Sequence, residues 1–504
     1  MDFFARLRKK YFLCIKKISC MNFFFELIDV EPFVYGLEFK NRINLKVSKG
    51  EHLCVVGPNG SGKTKFGEML CGKVPIRAGK ALFSFLPSGS GYVKDKVIKV
   101  GFESAYTMAD YSNMYYQQRF SSTENEWNSL ENKKMPTVKD LLDNLNGESK
   151  SFWIEKLRLE QLFDRTLIML SSGELRRFLI ANILIKKPEI IIFDNPFIGL
   201  DVQNRKELNE LFKEISLTQQ MIFLVPDVNE IPEVSKTVLP CKNLEFFDKM
   251  SKEEFLADKS FQQFIFEDKF SSSGTLLEPY HSLNRDFKYA AILKDISIKY
   301  PKRTLFENLN WEIKKGEKWI LSGSNGSGKS TLLSLITADN PRSYNMDITL
   351  FDRKRGTGES IWDIKKRIGY ISSEMHLYFR ENQLCKKVVA SGFFDTQGLF
   401  RECSPQQFEM ACRMLEIFGI GGLSEKPFLK ISDAEQRIVL LARTMIKNPD
   451  LLILDEPLHG LDPINKKRAK YLIDMYAAQE DRTLVFVTHN SENIPSCITD
   501  TFKL

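Results

Sequence analysis

The chain has 504 residues, 43% of them apolar and 27% charged, with a formal net charge of +7. That length and apolar content suit two or more domains with real cores. Its longest apolar runs, such as Ile190-Ile191-Ile192-Phe193, are far short of the ~20 residues a membrane-spanning helix needs, so any transport role requires a separate membrane subunit. The nine cysteines show no C-x-x-C pairing, which points to reduced thiols in a cytoplasmic setting rather than a disulfide frame or a zinc site. The 39 phenylalanines against 15 tyrosines and 5 tryptophans read as composition bias and carry no functional inference.

Residues 1–20 hold six Lys/Arg against one Asp, so the rest of the chain is nearly neutral and lacks the charge signature of nucleic-acid binding. In this extension Phe3, Leu7, Tyr11, Ile15 and Ile18 alternate with Arg6, Arg8, Lys9, Lys10, Lys16 and Lys17. Two readings stand: a basic amphipathic helix for an anionic membrane at the inner face of the plasma membrane, or translated sequence upstream of the true start. Residues 1–21 are therefore set apart from the first domain.

An apolar run, Leu53-Cys54-Val55-Val56, leads into Gly57-Pro58-Asn59-Gly60-Ser61-Gly62-Lys63-Thr64. Just over half a chain length later, Trp319-Ile320-Leu321 leads into Gly323-Ser324-Asn325-Gly326-Ser327-Gly328-Lys329-Ser330, with Thr331 next. Both fit G-x4-G-K-[ST]. The glycines let backbone N–H groups close on phosphate oxygens at a helix N-terminus, the lysine reaches the outer phosphates, and the Thr64 or Ser330 hydroxyl ligates Mg²⁺. The sequence therefore binds a nucleoside triphosphate twice.

Between the first loop and the next motif lies a polar, helical insert with a Met/Tyr-rich stretch from Tyr106 to Phe120, including Tyr111, Tyr115 and Tyr116. It reads as buried packing or as a partner-docking surface. Leu170-Ser171-Ser172-Gly173-Glu174 then opens a helix, and Ile190–Phe193 ends in Asp194-Asn195-Pro196, followed by Gly199-Leu200-Asp201. The second half answers each in order: Ile431-Ser432-Asp433-Ala434-Glu435, Leu451-Leu452-Ile453-Leu454-Asp455-Glu456-Pro457 and Gly460-Leu461-Asp462. This is one domain duplicated, not a short-period solenoid. Each copy runs β-rich start, strand, phosphate loop, helix, helical insert, then alternating strands and helices, which predicts an α/β fold with a parallel core sheet. The boundaries read 22–247 for the first domain, 248–288 for a connection containing a helix-compatible stretch at 252–266 and the flexible Ser271-Ser272-Ser273-Gly274, and 289–504 for the second. His52, His281, His376 and His459 read as surface or packing residues.

These residues resemble the ABC-type ATPases over nearly the whole chain from residue 22. The stretch Asp347-Ile348-Thr349-Leu350-Phe351, then Gly358 to Tyr370 (GESIWDIKKRIGY), is similar to the ModF family of tandem ATPases, grouped by name with molybdate transport. The resemblance implies two nucleotide-binding domains, each with a RecA-like parallel sheet, an antiparallel β subdomain and an inserted helical subdomain. It also implies a monomer whose halves pair head to tail on two ATPs with Mg²⁺. Each site is then composite, with the phosphate loop and acidic strand from one half and the signature loop from the other.

In that scheme Asp194 and Asp455 hold Mg²⁺, while the residue after each aspartate polarises the attacking water. Glu456 can do so; Asn195 cannot take up a proton. The family's switch histidine matches His489, and the register of Ile231-Pro232 against Ile494-Pro495 sets Pro226 at that place in the first half. The signature loops go the other way: Ser171, Ser172 and Gly173 suit a γ-phosphate, whereas Asp433 and Ala434, next to Ser432, replace the usual small positions. A carboxylate there repels phosphate, although Ser-Asp is also a favoured helix start in its own right. All defects fall in one composite site. The glutamine expected to sense Mg²⁺ is replaced in both halves (Ser373 or Glu374; Glu103-Ser104). Tyr300 sits where the family stacks an aromatic on adenine, and in the first half Phe33 or Tyr35 could serve. Three roles fit: the ATPase of a transporter, a soluble nucleotide-dependent switch, and a ribosome-acting factor. The last would join its halves by a long charged helical arm and keep both glutamates.

Overall fold

The computed structural model describes residues 23–86, 93, 96–101, 136–147, 149–167, 170, 172–198, 200, 202–267, 286–300, 303–323, 326–372, 375, 379, 382–396, 398–479, 481–488 and 493–504. They fall into two units, with the break after Glu267.

The first unit opens with β1 (Phe25–Pro32) and β2 (Ile43–Val47), an antiparallel pair whose buried and exposed residues alternate. β3 (Leu53–Val56) then leads through the phosphate loop into α1 (Lys63–Leu70). The chain returns as β4 (Ile76–Phe83) on the other side of β1, completing an antiparallel sheet in the order β2-β1-β4. β5 (Val97–Gly101) is followed by the short helices α2 (Val138–Asp143) and α3 (Lys150–Lys156) and the longer α4 (Ser172–Ile185). Next come β6 (Ile190–Asp194), α5 (Val202–Ser216), β7 (Gln220–Val225) and β8 (Thr237–Lys242). The parallel order is β5-β6-β7-β3-β8. β3, β6 and β7 are buried at every position, as expected of strands covered on both faces.

The connection starts later than its sequence boundary of 248. β9 (Glu245–Phe246) and β10 (Met250–Ser251) both pair with β8, and α6 (Lys252–Ala257) and α7 (Lys259–Phe266) belong to the first unit. Ser251 closes a capping box with Glu254, which fixes the start of the helix-compatible stretch 252–266. The serine-rich stretch 271–274 lies outside the described residues.

The second unit repeats the plan. β11 (Tyr289–Tyr300), β12 (Arg303–Lys314), β14 (Asp347–Leu350) and β15 (Arg353–Lys354) form an antiparallel sheet, with β13 (Lys318–Ser322) and α8 (Lys329–Ile336) between β12 and β14 in sequence. Then follow α9 (Ile361–Arg367), β16 (Ile368–Ser372), α10 (Cys385–Ala390), α11 (Pro405–Ile417), α12 (Asp433–Met445), β17 (Leu451–Asp455), α13 (Pro463–Ala477), β18 (Thr483–Val487) and β19 (Asp500–Lys503). The parallel sheet runs β16-β17-β18-β13-β19, the order of the first unit strand for strand.

No helix among the described residues is long and apolar enough to cross a membrane. The described cysteines are all free thiols. Burial raises the Cys71 thiol to about 11 and, as the largest influence, the Cys385 thiol to about 12, so both are inert at neutral pH.

α5 docks on the first parallel sheet through Phe212, fully buried with its ring 4.8 Å from Phe193 on β6 and 4.9 Å from Phe223 on β7. Phe212→Ala should destabilise the first unit by about 3–5 kcal/mol, the cost of a large core truncation, read from denaturant unfolding followed by far-UV circular dichroism. A loss within experimental error would show that α5 does not depend on this cluster.

Candidate functional site

Each phosphate loop connects the end of a fully paired central strand to a helix. Gly62 and Gly328, the N-caps of α1 and α8, have φ of 101° and 98°. A Cβ on Gly328 would lie 2.7 Å from Phe306 Cζ and one on Gly62 3.1 Å from Leu244 Cδ2, so glycine is required on conformation and on space. Gly57 lies tighter still, since its Cβ would stand 1.9 Å from the Cys241 carbonyl oxygen on β8.

Lys63 and Lys329 are both buried. Lys63 Nζ donates to the carbonyls of Gly57 (2.7 Å) and Pro58 (2.8 Å) and to Ser61 Oγ (3.3 Å); Lys329 Nζ donates to the Gly323 carbonyl (2.8 Å). A buried ammonium folded over its loop, beside a helix N-terminus, fits a triphosphate. Asn59, Gly60 and Thr64 share the first loop, and Gly326, Ser327, Ser330 and Thr331 the second. Asn325 lies outside the described residues.

The two acidic strand ends have different neighbours. In the second unit Ser330 Oγ donates to Asp455 Oδ2 at 3.1 Å, a hydroxyl and a carboxylate side by side whose hard oxygens fit Mg²⁺. In the first unit Asp194 is paired with a residue that sequence reasoning passed over. Lys99 Nζ, from β5, lies 3.1 Å from Asp194 Oδ2 and 3.8 Å from Glu68 Oε1 on α1. Burial alone would lower the Lys99 ammonium, but Asp194, followed by Glu68, outweighs it and holds the group above the usual lysine value. The available signal was a lysine inside the otherwise apolar Val97-Ile98-Lys99-Val100.

The residues after the aspartates share one backbone. Asn195 and Glu456 both have φ of 51°, and their N–H groups donate to the carbonyls of Leu224 (2.9 Å) and Val487 (3.0 Å). Asn195 Oδ1 is buried without a hydrogen-bond partner among the described residues. The matched bonds equate Leu224 with Val487, so Pro226, buried at the end of β7, takes the position that His489 has in the second half. His489 itself lies outside the described residues, as do Ser171, Ser373 and Glu374, and Glu103-Ser104.

At the signature helices, Ser172 and Gly173 begin α4, and a Cβ on Gly173 would lie 2.9 Å from Asn204 Oδ1. Ser432 caps α12 in a closed box: its hydroxyl donates to Glu435 Oε2 at 2.7 Å and accepts from the Glu435 N–H at 3.4 Å. Asp433 adds an exposed carboxylate in the first turn and Ala434 is buried. The hydroxyl expected to meet ATP is thus engaged inside its own helix start.

By strand register the position that matches Tyr300 is Val34, between Phe33 and Tyr35. Val34 bridges Leu37 as Tyr300 pairs with Arg303, and Asp29 and Asp295 accept the same upstream register, their N–H groups bonding Asn44 and Asn310 (both 2.9 Å). Val34 cannot stack, while Phe33 and Tyr35 flank it exposed.

The ABC transporter family model matches residues 40–198 and again 306–459. The chain is 33% identical to the ABC transporter ATP-binding protein ModF of Escherichia coli, covering 90% of this chain and 91% of that one. It is 28% identical to an uncharacterized ABC transporter ATP-binding protein of Schizosaccharomyces pombe, covering 91% and 93%. Among solved structures it is similar to a chain in a model of ribosome-bound archaeal Pelota and ABCE1, at a TM-score of 0.55 and 18% identity, covering 94% and 76%. That degree of likeness shows the fold alone.

Left-handed backbone favours Asn over Glu. Asn195→Glu should therefore destabilise the chain by about 0.5–1 kcal/mol and Glu456→Asn stabilise it by about as much, measured by calorimetry of the full chain. Shifts of the opposite sign would mean that side-chain contacts, not backbone strain, decide these positions.

Proposed function

This chain belongs to the ABC transporter family of ATP-binding proteins, an ATPase with two nucleotide-binding domains, and on that premise we propose that its two sites divide the work. The site built on Lys329, Ser330, Asp455, Glu456 and His489 hydrolyses ATP. The site built on Lys63, Thr64, Asp194, Asn195 and Pro226 binds nucleotide and turns over slowly at most.

One observation carries this reading. Identical backbones at 195 and 456 present a carboxylate in one half and an amide in the other. The Glu456 carboxylate can orient a water and take its proton as it attacks the γ-phosphate, which an amide cannot. Lys329 and the loop N–H groups offset charge that gathers on the phosphate oxygens. Mg²⁺, when bound through Ser330 and Asp455, supplies further charge neutralisation. His489 would hold the γ-phosphate and water in line.

Head-to-tail closure would bring Ser171, Ser172 and Gly173 to the Lys329 site, and Ser432, Asp433 and Ala434 to the Lys63 site. The closed cap of Ser432 on Glu435 supports the second of these being poor at holding a γ-phosphate. Closure and reopening would then drive a separate membrane subunit, as the name of the Escherichia coli relative suggests for that protein. A molybdate-like oxyanion is the substrate class that the resemblance to the ModF family implies.

Glu456→Gln should lower ATPase turnover by about 10²–10⁴ while ATP binding survives, because the phosphate cradle is untouched. Retention of more than half the rate would overturn the assignment. Ser171→Arg should block hydrolysis much more than Ser432→Arg, in steady-state assays of the full chain; equal losses would show that each half hydrolyses alone. For the biological role, membranes carrying the partner should retain the Glu456→Gln form in ATP. Retention on ribosomes instead would sink the transporter reading.

A further inference from the structure

The first nucleotide site carries a cation of its own. Lys99 projects from β5 along α1 to place its ammonium 3.1 Å from Asp194 Oδ2, with Glu68 Oε1 at 3.8 Å on the other side. Both partners of the Asp194 pair are largely buried. Room for the lysine stem comes from Gly67: a Cβ there would already lie 3.0 Å from Leu224 Cδ1, 3.4 Å from Ile192 Cγ2 and 3.6 Å from Lys99 Cδ.

The second unit differs at each matched position. Sheet register equates Lys99, opposite Ile192, with Tyr370, opposite Ile453. The loop motifs equate Gly67 with Leu333 and Glu68 with Ser334. There Tyr370 and Leu333 pack into the apolar core, Ser334 Oγ donates to the Thr331 carbonyl, and Asp455 accepts from the Ser330 hydroxyl. Three co-ordinated differences thus bring a strand-borne ammonium to one acidic strand end where the other unit has a neutral phenol.

We propose that Lys99 stands in for the divalent cation at the first site, so that this site takes metal-free nucleoside triphosphate while the second requires the magnesium complex. This rests on the first half being a nucleotide site. An acidic strand end next to a triphosphate repels it unless a positive charge lies between or beside them. At the second site the matched strand position holds neutral Tyr370, and the Ser330 hydroxyl lies against Asp455 as an oxygen pair suited to a divalent cation. At the first, the Lys99 ammonium already offsets Asp194, and a metal arriving there would have to displace a buried salt bridge. A site that keeps nucleotide without metal also suits one that does not hydrolyse it, since metal-free triphosphate is poorly activated for phosphoryl transfer.

The test is equilibrium binding of a fluorescent ATP analogue to full-length single-site variants, with Mg²⁺ or with excess EDTA. Lys329→Ala reports the first site, and its Kd should change by less than about threefold on chelation, because the charge on Asp194 is already met. Lys63→Ala reports the second site and should weaken about tenfold or more in EDTA. Adding Lys99→Met to Lys329→Ala should make the first site metal-dependent by about tenfold, whereas Lys99→Arg should keep it metal-independent. Circular dichroism and binding in Mg²⁺ establish that the Lys99 variants are folded. Equal EDTA sensitivity of the two sites, or an unchanged EDTA response in Lys99→Met, overturns the proposal. No binding by Lys329→Ala in either buffer would overturn the underlying reading that the first half holds nucleotide, and is distinguishable from both.

Discussion

Each unit depends on a strand paired on both sides in parallel. β3 lies between β7 and β8, and β13 between β18 and β19, so the loop after each begins where neither flank can yield. Gly57 shows the constraint most sharply, pressed so near the Cys241 carbonyl that no side chain fits. The loop then has one way to reach its helix, through a left-handed glycine, and that path leaves helix N–H groups pointing outward beneath a buried lysine. The acidic strand ends on the far side of β7 or β18, one strand over, which is why loop and carboxylate meet at the same sheet edge.

Because sheet pairing sets this geometry, the two halves keep their backbones while their chemistry separates. Positions 195 and 456 have the same φ and the same N–H partner, one strand over. Glutamate at that φ is strained by an amount of order 1 kcal/mol, a cost that asparagine largely avoids. A strained glutamate in one half and a relaxed asparagine in the other are what the proposed division into working and silent sites would leave behind. Lys99 extends the same contrast: removing it would leave the largely buried Asp194 carboxylate without its ion-pair partner, whereas Glu68 would keep Lys65 at 2.8 Å.

The architecture was legible in the sequence because its marks are local. G-x4-G-K-[ST] after an apolar run, an all-apolar strand ending in Asp, and the repetition of both in order identify the strands, the loops and the duplication. What stayed hidden depends on pairings between distant residues. Lys99 and Asp194 are neighbours only through the β5–β6 register, and a lone lysine in a strand reads as a solvated edge. The equivalence of Val34 and Tyr300 needed the bridge at Leu37 to fix the register. The late start of the connection turned on β10, a two-residue strand too short to leave a pattern.

The signature of the second half shows how a helix start can be closed without being broken. Ser432 and Glu435 satisfy each other's backbone N–H groups, an arrangement typically contributing about 1 kcal/mol to the helix. Turning that hydroxyl toward a phosphate would forfeit the Ser432–Glu435 bond, and the first-turn carboxylates of Asp433 and Glu435 already satisfy the positive end of α12. An incoming phosphate would meet negative charge where an open helix start offers N–H groups. The same residues that make α12 a well-capped helix therefore leave its start with little to offer a phosphate, which is what the proposed division of labour asks of it.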